Sequence, residues 1–286
     1  MISDITLGQF FPGYSPLHKL DPRTKIILAI LFIVGVFLAN NPVAFFFLAA
    51  LTLLLVAISR ISFSIVFKGI KPIFFVLIFT TLINIFLTEG EGEPLLAFWI
   101  IRIYKEGIIK AVFMSLRVII LIIGTSMFLT YTTSPISLTD GIESLLKPLK
   151  KIGVPVHLFA MMMTIALRFI PTLVEETEKI MNAQKSRGAD FTSGSIVKRA
   201  KALIPLLVPL FVSSFKRAEE LATAMECRCY RGDKNRTKFI ELKYKGLDFS
   251  WMFFALVLFS GIILLRILPY KFNVDGVFYN AVFYRI

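Results

Sequence analysis

The sequence predicts an all-α integral membrane protein of about five transmembrane helices, with further long helices outside the bilayer. Three observations carry this. Of the 286 residues, 56% are hydrophobic and only 18% charged, with 29 Phe and a mean hydropathy of +0.76. A soluble domain has about 45–50% apolar and about 25% charged residues. Five apolar runs approach the roughly 20 residues needed to cross a bilayer. Between the fourth and fifth runs lies a long stretch with helical periodicity, basic toward its C-terminal half. A water-soluble fold and intrinsic disorder are both excluded by this composition.

The five runs are Thr24–Asn40, Pro42–Ser59, Ile70–Thr88, Ala111–Tyr131 and Phe249–Leu268. Asn40-Asn41-Pro42 is a turn signal, so the first two runs form a tight hairpin. After the fourth, Ser134-Pro135 reads as a helix N-cap followed by proline at the first helical position. Leu138, Ile142, Leu145, Leu146 and Leu149 then form one apolar stripe, suited to lying along a membrane surface. Lys150 to Pro155 breaks it. Next comes a long helix ending near Gly188, interrupted only by Pro171 and apolar enough at Val156–Pro171 to enter the membrane. A second runs from about Ser195 to Cys227, with Pro205 and Pro209 one turn apart to bend it. The chain thus divides into membrane helices at 1–131, a helical module at 132–248, and a last membrane helix and tail at 249–286.

Lysines and arginines near the span ends set orientation. Lys19, Arg23 and Lys25 precede the first run, and Arg60, Lys68 and Lys71 separate the second from the third. The next loop begins with Glu89, Glu91 and Glu93, and basic residues return at Lys147, Lys150 and Lys151. The N-terminus is expected in the cytoplasm and the C-terminus outside. Lys185–Asp248 holds 14 Lys/Arg against 7 Asp/Glu, a basic cytoplasmic platform. The formal charge of +13 is accounted for by this positive-inside bias and by anionic lipid, with no need of nucleic acid.

Chemistry is sparse. Two cysteines, Cys227 and Cys229, make no disulfide framework, and two histidines, His18 and His157, stand far apart. No phosphate-binding loop, zinc-protease helix or nucleophile elbow is present. No metal or cofactor is expected, and no lipid-transferring enzyme is legible. An autonomous secondary carrier, the alternative, needs ionisable groups within its spans. Here the spans hold Arg117, read as capping carbonyls or pairing in the bundle, and Arg266, read as snorkelling to headgroups.

What stands out is a pair of arginines at the ends of the two long helices. Arg187 lies in Ala183-Gln184-Lys185-Ser186-Arg187-Gly188, and Arg228 in Ala224-Met225-Glu226-Cys227-Arg228-Cys229. Each follows Ala-x-x-x-Arg and has small neighbours, which let a guanidinium enter a partner's groove. Its rigid five-donor fork suits carboxylates and carbonyl oxygens. One such arginine is an ordinary C-terminal cap; two at matched positions suggest paired docking.

The chain resembles the transmembrane T component of energy-coupling factor transporters, the CbiQ/EcfT family of prokaryotic cobalt- and vitamin-type importers. Ser15-Pro16-Leu17-His18-Lys19-Leu20-Asp21-Pro22-Arg23-Thr24-Lys25 is similar to its N-terminal signature. Thr132-Thr133-Ser134-Pro135 and Gly153-Val154-Pro155 resemble its middle section, and Leu167-Arg168-Phe169-Ile170-Pro171 leads into its first Ala-Arg-Gly motif at Ser186-Arg187-Gly188. Cys227-Arg228-Cys229 falls where the second lies. The resemblance implies a non-catalytic coupling scaffold in the prokaryotic plasma membrane. Its partners would be two ATP-binding cassette ATPases, identical or different, and a substrate-binding S component. Ser186, Arg187, Gly188, Cys227, Arg228 and Cys229 would seat the ATPases, and 132–248 would be the coupling-helix module.

The second motif departs from the family pattern, with Cys227 and Cys229 standing for alanine and glycine. Loss of that glycine bears on the turn after the helix, and a Cys-x-Cys metal or redox site is the sharper alternative. Phe45-Phe46-Phe47, Phe74-Phe75 and Phe79-Thr80 are candidates for lipid-facing or partner-facing surface, and Met161-Met162-Met163 for adaptable packing.

Overall fold

Asp21 begins the first helix, its carboxylate accepting from the Arg23 backbone N–H at 2.9 Å while Pro22 takes the first helical position. In the computed structural model, which describes residues 10–88, 96–98, 101–189, 191, 195–232 and 241–267, α1 spans Pro22–Leu38 and α2 spans Pro42–Ser59. Both start with proline, so the Asn41-Pro42 signal marks a real boundary. α3 (Phe63–Ile70) passes through a 3₁₀ turn at Lys71–Ile73 into α4 (Phe74–Leu87). β1 (Leu96–Phe98) and β2 (Ile101–Ile103) pair antiparallel, with Leu96 opposite Ile103. α5 (Lys105–Thr125) ends in a π-helical turn, Ser126–Tyr131. α6 (Pro135–Leu146) runs through a 3₁₀ segment to Gly153. α7 (Val156–Ser186), α8 (Ile196–Cys227) and α9 (Gly246–Ile267) complete the order.

The all-α class holds, with one addition among the described residues: the β1–β2 hairpin, whose six paired residues are too short a signal to read from sequence. Five stretches among the described residues are long and apolar enough to cross a membrane: Pro42–Ser59, Phe63–Leu87, Gly107–Tyr131, Val156–Ser186 and Gly246–Leu265. Compared with the sequence reading, α7 joins the set. α1, with 17 residues, reaches about 25 Å at ~1.5 Å per residue, a little under a hydrocarbon core. The third span begins at Phe63 instead of Ile70, because the Pro72 turn continues α3 into α4 rather than ending it. The acidic loop at Glu89 to Glu93, the Arg266 side chain and residues 268–286 lie outside the described residues.

The described chain forms two units, one of residues within 135–241 and the other of residues 10–134 with 242–267. In the latter, α1 packs against α5 and α9, and α5 against α2, α3 and α4. α1 and α9 run parallel: the Asp21 N–H meets Asp248 at one end, and Asn41 Nδ2 donates to the Leu265 carbonyl at the other. α5 runs the opposite way, since Arg117 donates to the Ala39 carbonyl at 2.9 Å while Lys25 reaches Thr132. Leu28, Phe32, Val36, Leu48, Leu55, Ile120, Phe128 and Ile262 form the core. Gly124 makes the α1–α5 approach possible, because a Cβ there would lie 2.2 Å from the Phe32 ring. In a bilayer this tight contact, and not transfer out of water, holds helices together.

Arg117 is the carbonyl cap that the sequence suggested: it closes the C-terminus of α1 and lies 5.2 Å from the Phe45 ring centroid. One candidate surface residue is corrected here. Phe45 is 2% exposed, packed 5.3 Å from the Phe113 ring, whereas Phe46 is 71% exposed. The hairpin register turns the first phenylalanine inward. Phe47, Phe74, Phe75 and Phe79 do face outward.

In the 135–241 unit, α7 packs on α6 and on α8. His157 Nδ1 and Glu143 Oε1 lie 3.0 Å apart across α6 and α7. Arg217 Nη2 donates to Glu176 Oε2 at 2.7 Å across α7 and α8. Leu203, Ile204, Leu207, Val208, Phe211 and Phe215 leave a large apolar face of α8 exposed.

Candidate functional site

The functional candidates are the two helix ends in the 135–241 unit. α7 stops at Ser186 because Gly188 turns left-handed, at φ +87°. The Gly188 N–H donates to the Lys185 carbonyl at 2.9 Å, and the Ala189 N–H reaches back to the Gln184 carbonyl at 3.0 Å. These two bonds define a Schellman cap. Arg187 is its Ccap residue, with φ −87° and ψ 7°.

α8 ends in the same way. The Cys229 N–H donates to the Glu226 carbonyl at 2.8 Å, and the Tyr230 N–H to the Met225 carbonyl at 3.0 Å. Arg228 is the Ccap residue, at φ −88° and ψ 14°. Cys229 takes the left-handed position, at φ +54°. The glycine absent from the second motif has therefore not cost the turn. The two hydrogen bonds outweigh the strain of a Cβ in that region, about 1–2 kcal/mol.

Ser186, Arg187, Gly188, Cys227, Arg228 and Cys229 are all exposed. Among the described residues neither guanidinium has an ion-pair or hydrogen-bond partner, so both five-donor forks face outward unspent. The helices are tied together at Glu176–Arg217. Each arginine lies eleven residues beyond its helix's member of that bridge, from 176 to 187 and from 217 to 228. At ~1.5 Å per residue both arms measure about 16 Å. Eleven residues are also close to three full turns, so each arginine sits near the face that carries the bridge.

Both cysteines are free and exposed. No group of three His, Cys, Asp or Glu side chains gathers near them or elsewhere among the described residues. As ligands they would form an incomplete set.

The family model described as cobalt transport protein, CbiQ, matches residues 13–239. A Clostridium kluyveri protein named energy-coupling factor transporter transmembrane protein EcfT is 55% identical over 93% of this chain and 98% of its own length. The protein of that name from Bacillus subtilis is 49% identical over 93% of this chain and 100% of its own. The chain belongs to this family. It is a membrane-embedded transmembrane component of an energy-coupling factor transporter. The matched region contains both helix-end arginines, the N-terminal segment from residue 13, and every helix but α9.

The sequence missed a second polar cluster, built on α1. Lys25, read as a charge flanking the membrane, is instead 2% exposed and donates to the Thr132 carbonyl at 2.7 Å. Its neighbour on α9, Asp248, is fully buried. The partners are more than a hundred residues apart in sequence, and no local spacing announces them. His18 lies beside them, Nε2 donating to the Phe11 carbonyl at 2.9 Å and Nδ1 accepting from Ser15 Oγ at 2.7 Å. Burial, the largest cause, holds its pKa below the usual imidazole value, in keeping with a neutral ring.

Proposed function

We propose that the chain is the non-catalytic coupling scaffold of an ATP-driven importer, joining two cytoplasmic ATP-binding cassette ATPases to a substrate-binding S component. The observation that carries this is a pair of caps with the same hydrogen-bond pattern: two exposed arginines, each at a helix C-terminus, each about 16 Å beyond one shared ion pair. Two equal arms suit two ATPases of similar shape, homodimeric or heterodimeric. Ser186 and Gly188 flank one guanidinium, Cys227 and Cys229 the other, and none is bulky enough to bar entry to a groove.

In this reading residues 132–248 face the cytoplasm, and 1–131 with 249–286 belong to the plasma membrane of a prokaryotic cell. The start of α1, where α9 also begins and α5 ends, is the cytoplasmic end. ATP-driven closure of the ATPases draws the two arginine tips together, and the Glu176–Arg217 bridge makes α7 and α8 answer as a pair. The exposed apolar face of α8 and the exposed Met162 and Met163 of α7 suit an S component, itself a membrane protein carrying a vitamin or a metal ion.

Charge reversal at both tips, Arg187→Glu with Arg228→Glu, tests the reading by copurification from solubilised membranes. The expected result is loss of both ATPases from a chain that remains folded. Stoichiometric retention of them would sink it, and ion-driven substrate uptake by the chain alone in liposomes would favour the secondary carrier.

A further inference from the structure

The chain leaves the membrane unit after Ser134 and returns to it at Leu242. Both crossings are gripped by the first turn of α1. Lys25 Nζ donates to the Thr132 carbonyl at 2.7 Å and to the His18 carbonyl at 3.4 Å. Two residues earlier, Arg23 Nη2 donates to the Leu242 carbonyl, and the guanidinium lies 4.4 Å from the Tyr244 ring centroid. Asp248 anchors the pair from α9. Its Oδ1 accepts from the Asp21 N–H at 2.8 Å and its Oδ2 from the Lys245 N–H at 2.7 Å. Asp21 in turn accepts from Arg23 Nε at 3.2 Å. Asp248 and Asp21 supply the negative charge that Lys25 needs where it is buried.

Three features point beyond mere stability. The cations grip backbone carbonyl oxygens, so they fix the path of the chain and not a side chain. The π-helical turn at Ser126–Tyr131 delivers the first of those carbonyls, and Thr132 Oγ1 ties it back to Met127 O at 2.8 Å. π-turns of this kind are concentrated at functional sites. Buried charges are also a poor way to gain stability, since apolar packing of similar volume does as well or better.

We propose that Lys25, Arg23 and Asp248 form a clasp holding the two crossings at a fixed spacing. Movement of α6, α7 and α8 then reaches α1, α5 and α9 instead of being taken up as slack at residues 132–135 and 241–245. These three are positioning residues, and their role rests on the coupling reading above.

The test uses the full chain in complex with the ATPases that copurify with it, with MgATP and MgADP as probes and amide hydrogen exchange as readout. The variant is Lys25→Met with Asp248→Asn, which removes both charges and leaves neither buried alone. In the wild-type complex, exchange differs between the two nucleotides in α6, α7 and α8 and also in α1, α5 and α9. In the variant the difference persists in α6, α7 and α8 and falls at least fivefold in the membrane helices. An undiminished difference there overturns the clasp. So does exchange raised equally with both nucleotides, which would mark a structural role only. If the variant does not assemble, three glycines inserted between Ser134 and Pro135 in the wild-type chain leave the clasp intact and add slack outside it. Loss of the nucleotide difference in the membrane helices is again expected, and its survival again overturns the proposal. Failure of the wild-type chain to hold ATPases counts against the coupling reading instead.

Discussion

The end of α7 and the end of α8 reach one geometry by two chemical routes. Gly188 enters the left-handed region without strain, and a Cβ there would meet nothing among the described residues within 4 Å. Cys229 enters the same region with a side chain and keeps both cap hydrogen bonds. The arginine dihedrals one residue earlier agree within 1° in φ and 7° in ψ. What the two ends share is therefore not the residue after the arginine but the arginine's place as the last half-helical residue. That shared place starts both side chains from the same backbone geometry at a helix C-terminus, and the docking proposed above would use both alike.

The largest expected effects test whether the two ends are equivalent in use as well as shape. Arg187→Ala and Arg228→Ala, made singly, should each weaken ATPase binding by about 2–5 kcal/mol, the usual loss when one member of a buried charged contact is truncated. Titrating purified ATPases onto the solubilised chain measures this. A difference of more than tenfold between the two variants would show that matching caps seat unequal contacts, as a heterodimeric pair allows.

Next in size is protection of the thiols. Cys227 and Cys229 flank Arg228 and are exposed in the free chain. Bound ATPases should slow their alkylation at least tenfold, a factor of ten corresponding to ~1.4 kcal/mol. A Ser186→Cys variant, with Cys227 and Cys229 replaced by serine, places a single thiol at the α7 end. It should be protected to a similar degree. Protection at one end alone would break the symmetry from the other side.

Much of this was legible because the features are local. Proline at the start of α1 and α2, the Lys150–Pro155 break and the two Ala-x-x-x-Arg ends are all written within a few residues. The cap at Cys229 was not, because no propensity for that residue signals a left-handed turn. It forms through backbone bonds that the rest of α8 makes available. The eleven-residue match between the ion pair and the tips became visible only when Glu176 was found beside Arg217. The clasp at Lys25 was hidden for a related reason. A lysine beside an apolar run reads as an interface charge, and only the return of the chain 223 positions later, at Asp248, gives it a buried counter-charge. Phe45 was misjudged because a Phe-Phe-Phe run has no period, so nothing distinguishes its inward residue.

The finest test exchanges the left-handed residue of each cap. Cys229→Gly removes a side chain from the left-handed region, which should strengthen the last turn of α8 by up to about 1 kcal/mol, less the added freedom of glycine in the open state. Gly188→Ala does the reverse at α7, and since the new methyl meets no neighbour among the described residues the loss of about 1 kcal/mol is attributed to backbone conformation. Amide exchange at residues 184–189 and 225–230 reads both, because helix ends open locally without global unfolding. Slower exchange in the first variant, by about two- to threefold once the freedom of glycine is subtracted, and about fivefold faster exchange in the second are expected. Should Cys229→Gly instead loosen the α8 end, the thiol must contribute a contact worth more than its backbone strain. The second cap would then be a distinct design, and the equivalence of the two arms would have to rest on their length alone.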